Sequence, residues 1–135
     1  MTSQVLKENS LDKTNEVYEL RIYYTHEGKF KDIISRFENH TTKLFEKHGF
    51  TNVGYWTSQS RNEASYADEI LNNKDQGALY YIVSFPNIEE RDKSWDLFIN
   101  DSEWKKVYKE SIKEGPIVSK IEQVFLNPTS FSKLK

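Results

Sequence analysis

The sequence contains no cysteine, which excludes disulfide scaffolds, thiolate metal sites and thiol nucleophiles. It also lacks an excess of charge of either sign, because 19 basic residues nearly balance 21 acidic ones and leave a formal net charge of -2. Such a chain has no broad electrostatic preference for nucleic acid or for an anionic membrane. We therefore expect no nucleic-acid partner, and specificity must come from a local site.

Long apolar runs are missing as well. No stretch approaches the roughly 20 apolar residues needed to span a bilayer, and the polar start MTSQVLKENSLDKTNE lacks the apolar centre of a secretory signal. We therefore expect no membrane span, a cytoplasmic location by default, and a flexible arm over residues 1–15. The remaining residues, 16–135, have the length and apolar content of a single domain.

Several catalytic motifs are also absent. The sequence has no P-loop, G-x-S-x-G or G-x-G-x-x-G motif, so nucleotide hydrolysis, serine esterase chemistry and Rossmann-type redox have no support. The histidines at positions 26, 40 and 48 form no i, i+4 pair and no H-E-x-x-H pattern, which argues against zinc or non-haem iron. Haem needs only one axial histidine, so spacing alone leaves it open. We predict no metal and no cofactor.

The first half of the domain has the periodicity of a strand, a helix and a second strand. VYELRIYYT, at 17–25, is rich in β-branched and aromatic residues and predicts the first strand. From 28 to 48 apolar residues recur at three- and four-residue steps, the period of an amphipathic helix. Gly49 is the expected stop, because glycine adopts the left-handed conformation without a side-chain penalty. FTNVGYWTS predicts the second strand.

The second half repeats the pattern after a long polar connection, in which we expect one helical turn around ASYADEILNN. LYYIVSFP, at 79–86, predicts a third strand, and Asn87 with Glu90 has the spacing of a capping box. The helix after it should restart at Asp101 and close near Gly115. Residues 119–126 predict a fourth strand. The apolar residues of the first of these two helical pieces are expected to point inward: Ile88, Trp95, Phe98 and Ile99.

The resulting order, β-α-β-β-α-β, predicts an α+β fold: a ferredoxin-like sandwich with a four-stranded antiparallel sheet and both helical regions on one face. The third strand is apolar on both sides, with Tyr81 and Val83 on one and Tyr80 and Ile82 on the other. Leaving either side in water would be costly. Because no further elements remain to cover the second face, we predict a homodimer related by two-fold symmetry.

Four blocks of the sequence resemble the NIPSNAP family. They are VYELRIYYTHEGKFKDIISRFENHTTKLFEKHGFTNVGYWT, LYYIVSFPNIEERDKSWDLF, SEWKKVYKES and NPTSFSKL, and together they span roughly residues 17 to 133. The resemblance implies a dimeric α+β barrel, a superfamily that contains cofactor-independent monooxygenases, haem-dependent enzymes and proteins with no known reaction. QSRNEASYADEILNNKDQGA departs from the family pattern by its length.

Charged residues on the first strand are the main candidates for chemistry. Because side chains alternate along a strand, Glu19, Arg21 and Tyr23 share one face. We expect this face to point away from the helices, toward the intersubunit side, where a buried charge must be paired. In the structural interpretation, Glu19 and Arg21 pair with each other or with Glu122 and Lys120. In the catalytic interpretation, Arg21 binds an anionic or enolic oxygen while Glu19 and Tyr23 steer protons.

Two histidines of the first helix are further candidates. At 100° per residue from Phe30, His48 returns to the centre of the apolar stripe and His40 lies at its edge. His48 is therefore expected to point toward the sheet. It is interpreted either as a cap of the helix end beside Gly49 or as a proton shuttle in a pocket. His40 is placed with the ligand-binding residues.

Aromatic side chains complete the predicted site. Tyr55, Trp56, Trp95 and Trp104 are the candidate ligand-binding residues, although aromatics at such spacing commonly form core. Two hypotheses follow. In the first, a pocket between sheet and helices binds a small hydrophobic or aromatic molecule, with cofactor-independent oxygenation or isomerisation as the reaction classes the resemblance implies. In the second, the chain is a non-enzymatic interaction module without a cavity near the roughly 300 Å³ of typical ligand sites.

Overall fold

A computed structural model of the chain describes residues 16–58 and 78–134. The arm predicted for residues 1–15 and the helical turn predicted around ASYADEILNN lie outside the described residues. Within the described part, no helix is both long and apolar enough to cross a membrane.

The elements follow the predicted order. The strands are β1 Val17–Thr25, β2 Thr51–Thr57, β3 Ala78–Phe85 and β4 Val118–Leu126. The helices are α1 Phe30–Arg36, α2 Thr42–Lys47, α3 Ile88–Ile99 and α4 Ser102–Ser111, with a π-helical turn, Phe37–Thr41, between α1 and α2. The sheet has the order β2-β3-β1-β4, and its neighbouring strands are antiparallel. The predicted ferredoxin-like sandwich is confirmed.

The helix-covered face of the sheet is the opposite of the one predicted. Glu19 and Tyr23 are buried among residues of the helices: Glu19 contacts Arg91 and Trp95 of α3, and Tyr23 packs edge-on against Phe37. Alternation along a strand defines two sets of side chains but does not say which set meets the helices. The prediction that Glu19 and Arg21 point away from the helices is therefore wrong. They lie under the helices because Arg91 of α3 supplies a countercharge for Glu19.

Aromatic rings fill the space between the sheet and the helices. Phe45 stacks on Phe50 with 4.2 Å between ring centroids, and Tyr81, which is fully buried, stacks on Tyr55 at 5.1 Å. Phe98 lies 4.8 Å from Phe45 in an edge-on arrangement. Such pairs contribute about 0.5–1.5 kcal/mol each beyond their area burial. The interior is therefore a packed core.

The other face of the sheet carries apolar side chains and no covering element among residues 16–58 and 78–134. We call it the open face. Trp56 and Val124 on this face are 53% and 47% exposed. The register sets them in cross-strand rows with half-buried neighbours. Those neighbours are Leu20, Ile22, Tyr80 and Ile82.

The first helical region is continuous but contains a π-helical turn. Thr41 Oγ1 donates to the carbonyl of Arg36 at 3.3 Å, and Thr42 Oγ1 donates to that of Phe37 at 3.1 Å. The backbone N–H of Thr42 also donates to the carbonyl of Phe37, five residues earlier, which is the hydrogen bond of a π turn. Because a π turn inserts one residue into the α-helical register, positions beyond it rotate by about 100° from a simple count. His48 lies beyond this turn and contacts Asp101 at the start of α4, and its direction toward the sheet stays a prediction.

The ends of the later helices agree with the sequence. Asn87 accepts a hydrogen bond from the backbone N–H of Glu90 at 2.8 Å, and Asp101 caps α4 through the N–H groups of Glu103 and Trp104. The prediction that Ile99 points inward is wrong, because its side chain lies at the end of α3 and is 55% exposed.

Gly49 ends the first helical region in the left-handed conformation, with φ of +93°, as its sequence position predicts. A Cβ atom there would lie 3.0 Å from Ser94 Oγ. Gly28 has a similar φ of +80° but open space where its Cβ would be. Substitutions at the two glycines can therefore be compared: both introduce backbone strain, and only the one at Gly49 also introduces crowding against Ser94.

Gly28→Ala should lower the free energy of unfolding by about 1–2 kcal/mol, the strain of a left-handed residue with a side chain. Gly49→Ala should cost more, because Ser94 must also move. Urea unfolding of both variants checks this. A Gly49→Ala protein as stable as the wild type would contradict the conformation assigned to this turn.

Candidate functional site

Glu19 is the centre of a buried polar cluster beneath α3. Its side chain is fully buried and accepts hydrogen bonds from Arg21 Nη1 at 3.0 Å, Arg91 Nε at 3.0 Å, Arg91 Nη2 at 2.9 Å and Trp95 Nε1 at 3.1 Å. The geometry with Arg91 is the bidentate fork that suits a guanidinium and a carboxylate. The carboxylate is thus fully paired.

The cluster continues along β1 to a pair of tyrosines. Arg21 Nε donates to the hydroxyl of Tyr23 at 3.3 Å, and the Tyr81 hydroxyl donates to the same oxygen at 2.9 Å. The Arg21 guanidinium also lies 4.5 Å from the ring centroid of Trp95. The structure therefore brings together three of the predicted catalytic residues, Glu19, Arg21 and Tyr23.

The electrostatics of Glu19 favour a permanent negative charge. Burial alone would raise its pKa, but hydrogen bonds from Arg91 and Trp95 and the positive charges of Arg91 and Arg21 hold the pKa below its ordinary value. A general acid or base works best with a pKa near the operating pH. The geometry matches the structural interpretation, in which Glu19 pairs with Arg21, and the catalytic roles remain predictions.

The partners of this cluster were only partly predicted. Glu122 and Lys120 lie on the open face, where Glu122 accepts from the Tyr24 hydroxyl at 2.7 Å, so their proposed pairing with Glu19 and Arg21 is wrong. Arg91 was missed. A signal was present, because Arg91 precedes Trp95 by one helical turn and so shares its inward face. A cation on such a face requires a buried anion.

The predicted aromatic ligand residues are spread over the molecule. Tyr55 stacks on Tyr81, and burial raises its pKa above the ordinary value. Trp95 is held by Glu19 and packs edge-on against Phe45. Trp56 lies on the open face. Of the predicted set, His40 lines a cleft between α1 and α4, described below, and Trp104 contacts Arg36 of that cleft.

His48 belongs to a second cluster, away from Arg21 and Tyr23. Its Nε2 lies 2.7 Å from Asp101 Oδ2, and Lys47 Nζ donates to the same oxygen at 2.9 Å. Hydrogen bonds from His48 and then Lys47 hold the pKa of Asp101 well below its ordinary value. Since Asp101 caps α4, this contact joins the end of α2 to the start of α4. The proton-shuttle role stays a prediction.

A cleft of about 430 Å³ opens between α1 and α4, near the start of β4. At its floor are Ile117, which is 1% exposed, and Arg36, which is 6% exposed. Arg36 was not identified from the sequence. The remaining lining residues are Asp32, Ser35, His40, Lys106, Val107, Glu110 and Ser111. No group of three or more metal-binding side chains occurs in the described part of the chain.

The NIPSNAP family model matches residues 18–68 and 74–133. The chain belongs to the NIPSNAP family. The resemblance seen in the sequence is thereby confirmed, and with it the predicted fold class: this NIPSNAP chain has the subunit fold of the dimeric α+β barrels. No curated protein matches the sequence.

Solved structures of NIPSNAP proteins are similar to this chain. A family member of unknown function from Agrobacterium tumefaciens is 18% identical with a TM-score of 0.69, over 93% of this chain and 98% of its own. An uncharacterized NIPSNAP-like domain protein from Burkholderia xenovorans is 16% identical with a TM-score of 0.68, over 88% and 90%.

A more distant similarity is to SnoaB, a cofactor-independent oxygenase from Streptomyces nogalater. It is 10% identical with a TM-score of 0.52, over 90% of this chain and 99% of its own. At this identity the likeness shows the fold alone, because one fold carries many unrelated activities.

Glu19→Gln should lower the free energy of unfolding of this NIPSNAP domain by about 3–5 kcal/mol, the cost of leaving buried cations without their countercharge. Urea unfolding followed by tryptophan fluorescence measures it. Glu38→Gln, at an exposed position of the π turn, is the matched control and should change stability by less than about 0.5 kcal/mol. Equal losses in the two variants would contradict the role assigned to Glu19.

Asp101→Asn should cost about 1–3 kcal/mol at neutral pH, because the amide keeps the cap but loses the charge-assisted bonds to Lys47 and His48. The lowered pKa of Asp101 means that its stabilisation is present above the unfolded pKa of about 3.9 and is lost as the pH falls toward the folded pKa. The difference in free energy of unfolding between the variant and the wild type should therefore become smaller below about pH 4.

Chemical unfolding between neutral and acid pH measures this gap, with Asp96→Asn as the control at an exposed position. The control should stay within about 0.5 kcal/mol of wild type throughout. A gap for Asp101→Asn that stays constant through the acid range would contradict the assigned linkage.

Proposed function

We propose that this NIPSNAP protein is a homodimer whose subunits each bind a small hydrophobic or aromatic molecule in the cleft between α1 and α4. The observation that carries the proposal is the cleft itself. Its volume of about 430 Å³ exceeds the roughly 300 Å³ at the lower end of typical ligand sites.

The composition of the cleft supports a small-molecule ligand. Val107 and Ile117 supply apolar surface, while Arg36, Ser35 and Ser111 supply polar groups. Polar groups beside apolar surface fix the orientation of a small ligand. The other four lining residues are polar or charged and exposed: Asp32, His40, Lys106 and Glu110. The location differs from the one predicted, because the space under the sheet is filled by the aromatic core and the cleft lies beside it.

The open face supports the homodimer. Exposed Trp56 and Val124 form an apolar surface with Leu20, Ile22 and Ile82, and burying such surface contributes roughly 25 cal/mol per Å². A second copy placed face to face would bury the same residues of both chains, as a two-fold interface requires. The dimer would leave the cleft accessible, because α1 and α4 lie on the other side of the sheet.

The two earlier hypotheses can be compared on the same observation. An interaction module without a ligand was expected to have no cavity near the size of a ligand site, and the cleft favours binding instead. Oxygenation or isomerisation is suggested by the fold alone, and Glu19 is too fully paired to serve as a free base. Binding is therefore the function we propose. Oxygen uptake, measured with the aromatic compounds named below, tests whether the protein also catalyses oxygenation.

Neutral fused-ring aromatics such as naphthol and naphthohydroquinone should bind the wild-type protein and quench fluorescence from Trp104, beside the cleft. Val107→Phe fills part of the cleft and should weaken binding about ten-fold, since the larger ring displaces apolar ligand contacts. Fluorescence titration measures both affinities.

Leu97→Phe is the matched control, because Leu97 is exposed on α3 and does not line the cleft. It should bind as the wild type does. Absence of saturable binding by the wild type, or equal binding by the Val107→Phe protein, would overturn the proposal.

A further inference from the structure

Arg36 is a buried cation with an unsatisfied hydrogen-bond donor. It is 6% exposed, its Nη1 donates to Ser111 Oγ at 3.1 Å, and its Nε is buried without a hydrogen-bond partner among the described residues. The guanidinium lies over the rings of Trp104 and Tyr108, with 5.3 and 5.4 Å to their centroids. Ring faces attract a cation but accept no conventional hydrogen bond from Nε.

Two half-buried guanidinium groups of the domain show what Arg36 lacks. Arg21 and Arg91 both pair with the carboxylate of Glu19. No carboxylate within residues 16–58 and 78–134 forms an ion pair with Arg36. Burial accordingly lowers the pKa of Arg36 below its ordinary value. A bound anion would supply the missing countercharge.

The acidic residues of the cleft lie at its rim and are occupied elsewhere. Glu110 pairs with Lys113 at 2.8 Å, and Asp32 lies 4.0 Å from Lys29. Both carboxylates are more than half exposed, so water screens them more strongly than the buried guanidinium. Lys106 adds a positive charge to the rim. The floor of the cleft is therefore its electropositive part.

The backbone around Arg36 is also unusual. Arg36 is the last residue of α1, and the π-helical turn begins at the next residue and carries His40 to the cleft. Turns of this kind occur frequently at functional sites. Two cleft residues are thus close to this turn, Arg36 directly before it and His40 within it.

We propose that Arg36 binds the carboxylate of a small organic acid whose apolar or aromatic body occupies the rest of the cleft. Arg36 lines the cleft, and its planar, permanently charged guanidinium suits a carboxylate held there. A single buried cation beside Val107 and Ile117 matches one negative charge on an apolar body better than it matches inorganic phosphate. This inference rests on the proposed function and names the class of its ligand.

Naphthoate and naphthamide test the inference, because they share one apolar body and differ in charge. Calorimetric titration of the wild-type protein should show naphthoate binding at least about ten-fold more tightly than naphthamide, the effect of one charge-assisted interaction. Arg36→Met keeps the length and apolar contacts of the side chain and should bring the two affinities together. Arg36→Lys, which keeps the charge but loses the fork, should retain an intermediate preference.

Lys105→Met removes an exposed cation of α4 that does not line the cleft, and this control should keep the wild-type preference. In the wild-type protein, naphthoate should also shift the Arg36 Nε–H resonance in nuclear magnetic resonance spectra, a result that does not depend on the folding of any variant. Inorganic phosphate should neither compete nor shift this resonance at equal concentration.

The outcomes separate the two proposals. If neither naphthalene compound binds, the proposed function fails and this inference with it. If both bind equally to the wild type, only the carboxylate assignment fails. The assignment is likewise overturned if Arg36→Met keeps the preference for naphthoate, or if phosphate shifts the Arg36 resonance as strongly as naphthoate does.

Discussion

The sheet of this protein carries apolar side chains on both faces, and the described helices cover one of them. On the covered face, Phe45, Tyr81 and Phe98 close the core with aromatic contacts. On the open face, Trp56 and Val124 remain half exposed. Burying this second apolar face would be favourable, and the homodimer that we propose rests on this argument.

Two buried charged residues of this NIPSNAP domain, Glu19 and Arg36, have contrasting surroundings. Glu19 is saturated by Arg21, Arg91 and Trp95, so that several strong hydrogen bonds offset its desolvation. Arg36 is equally removed from water but has a serine hydroxyl and two ring faces in place of a carboxylate. The first arrangement is complete within the fold, and the second is the one that we propose is completed by an anion in the cleft. The difference separates a structural cluster from a binding site.

The sequence was a good guide to local structure and a poor one to orientation and partners. The strand bounds, the Asn87 and Asp101 caps and the Gly49 stop follow from residue types and short spacings, and the structure has them. The sheet face that carries Glu19 and Arg21 was predicted wrongly, because side-chain alternation along a strand does not say which face the helices cover. The contact between His48 and Asp101 was not predicted, because it joins residues that are far apart in the sequence. Arg36 was missed since the absence of a partner is visible only in three dimensions.

The central claim, that the open face is covered by a second copy of the chain, is tested most directly by sedimentation equilibrium of the full-length protein at micromolar concentration. The account predicts a particle of about 32 kDa, twice the 16.0 kDa of one chain. A well-folded particle of 16.0 kDa under the same conditions would contradict it.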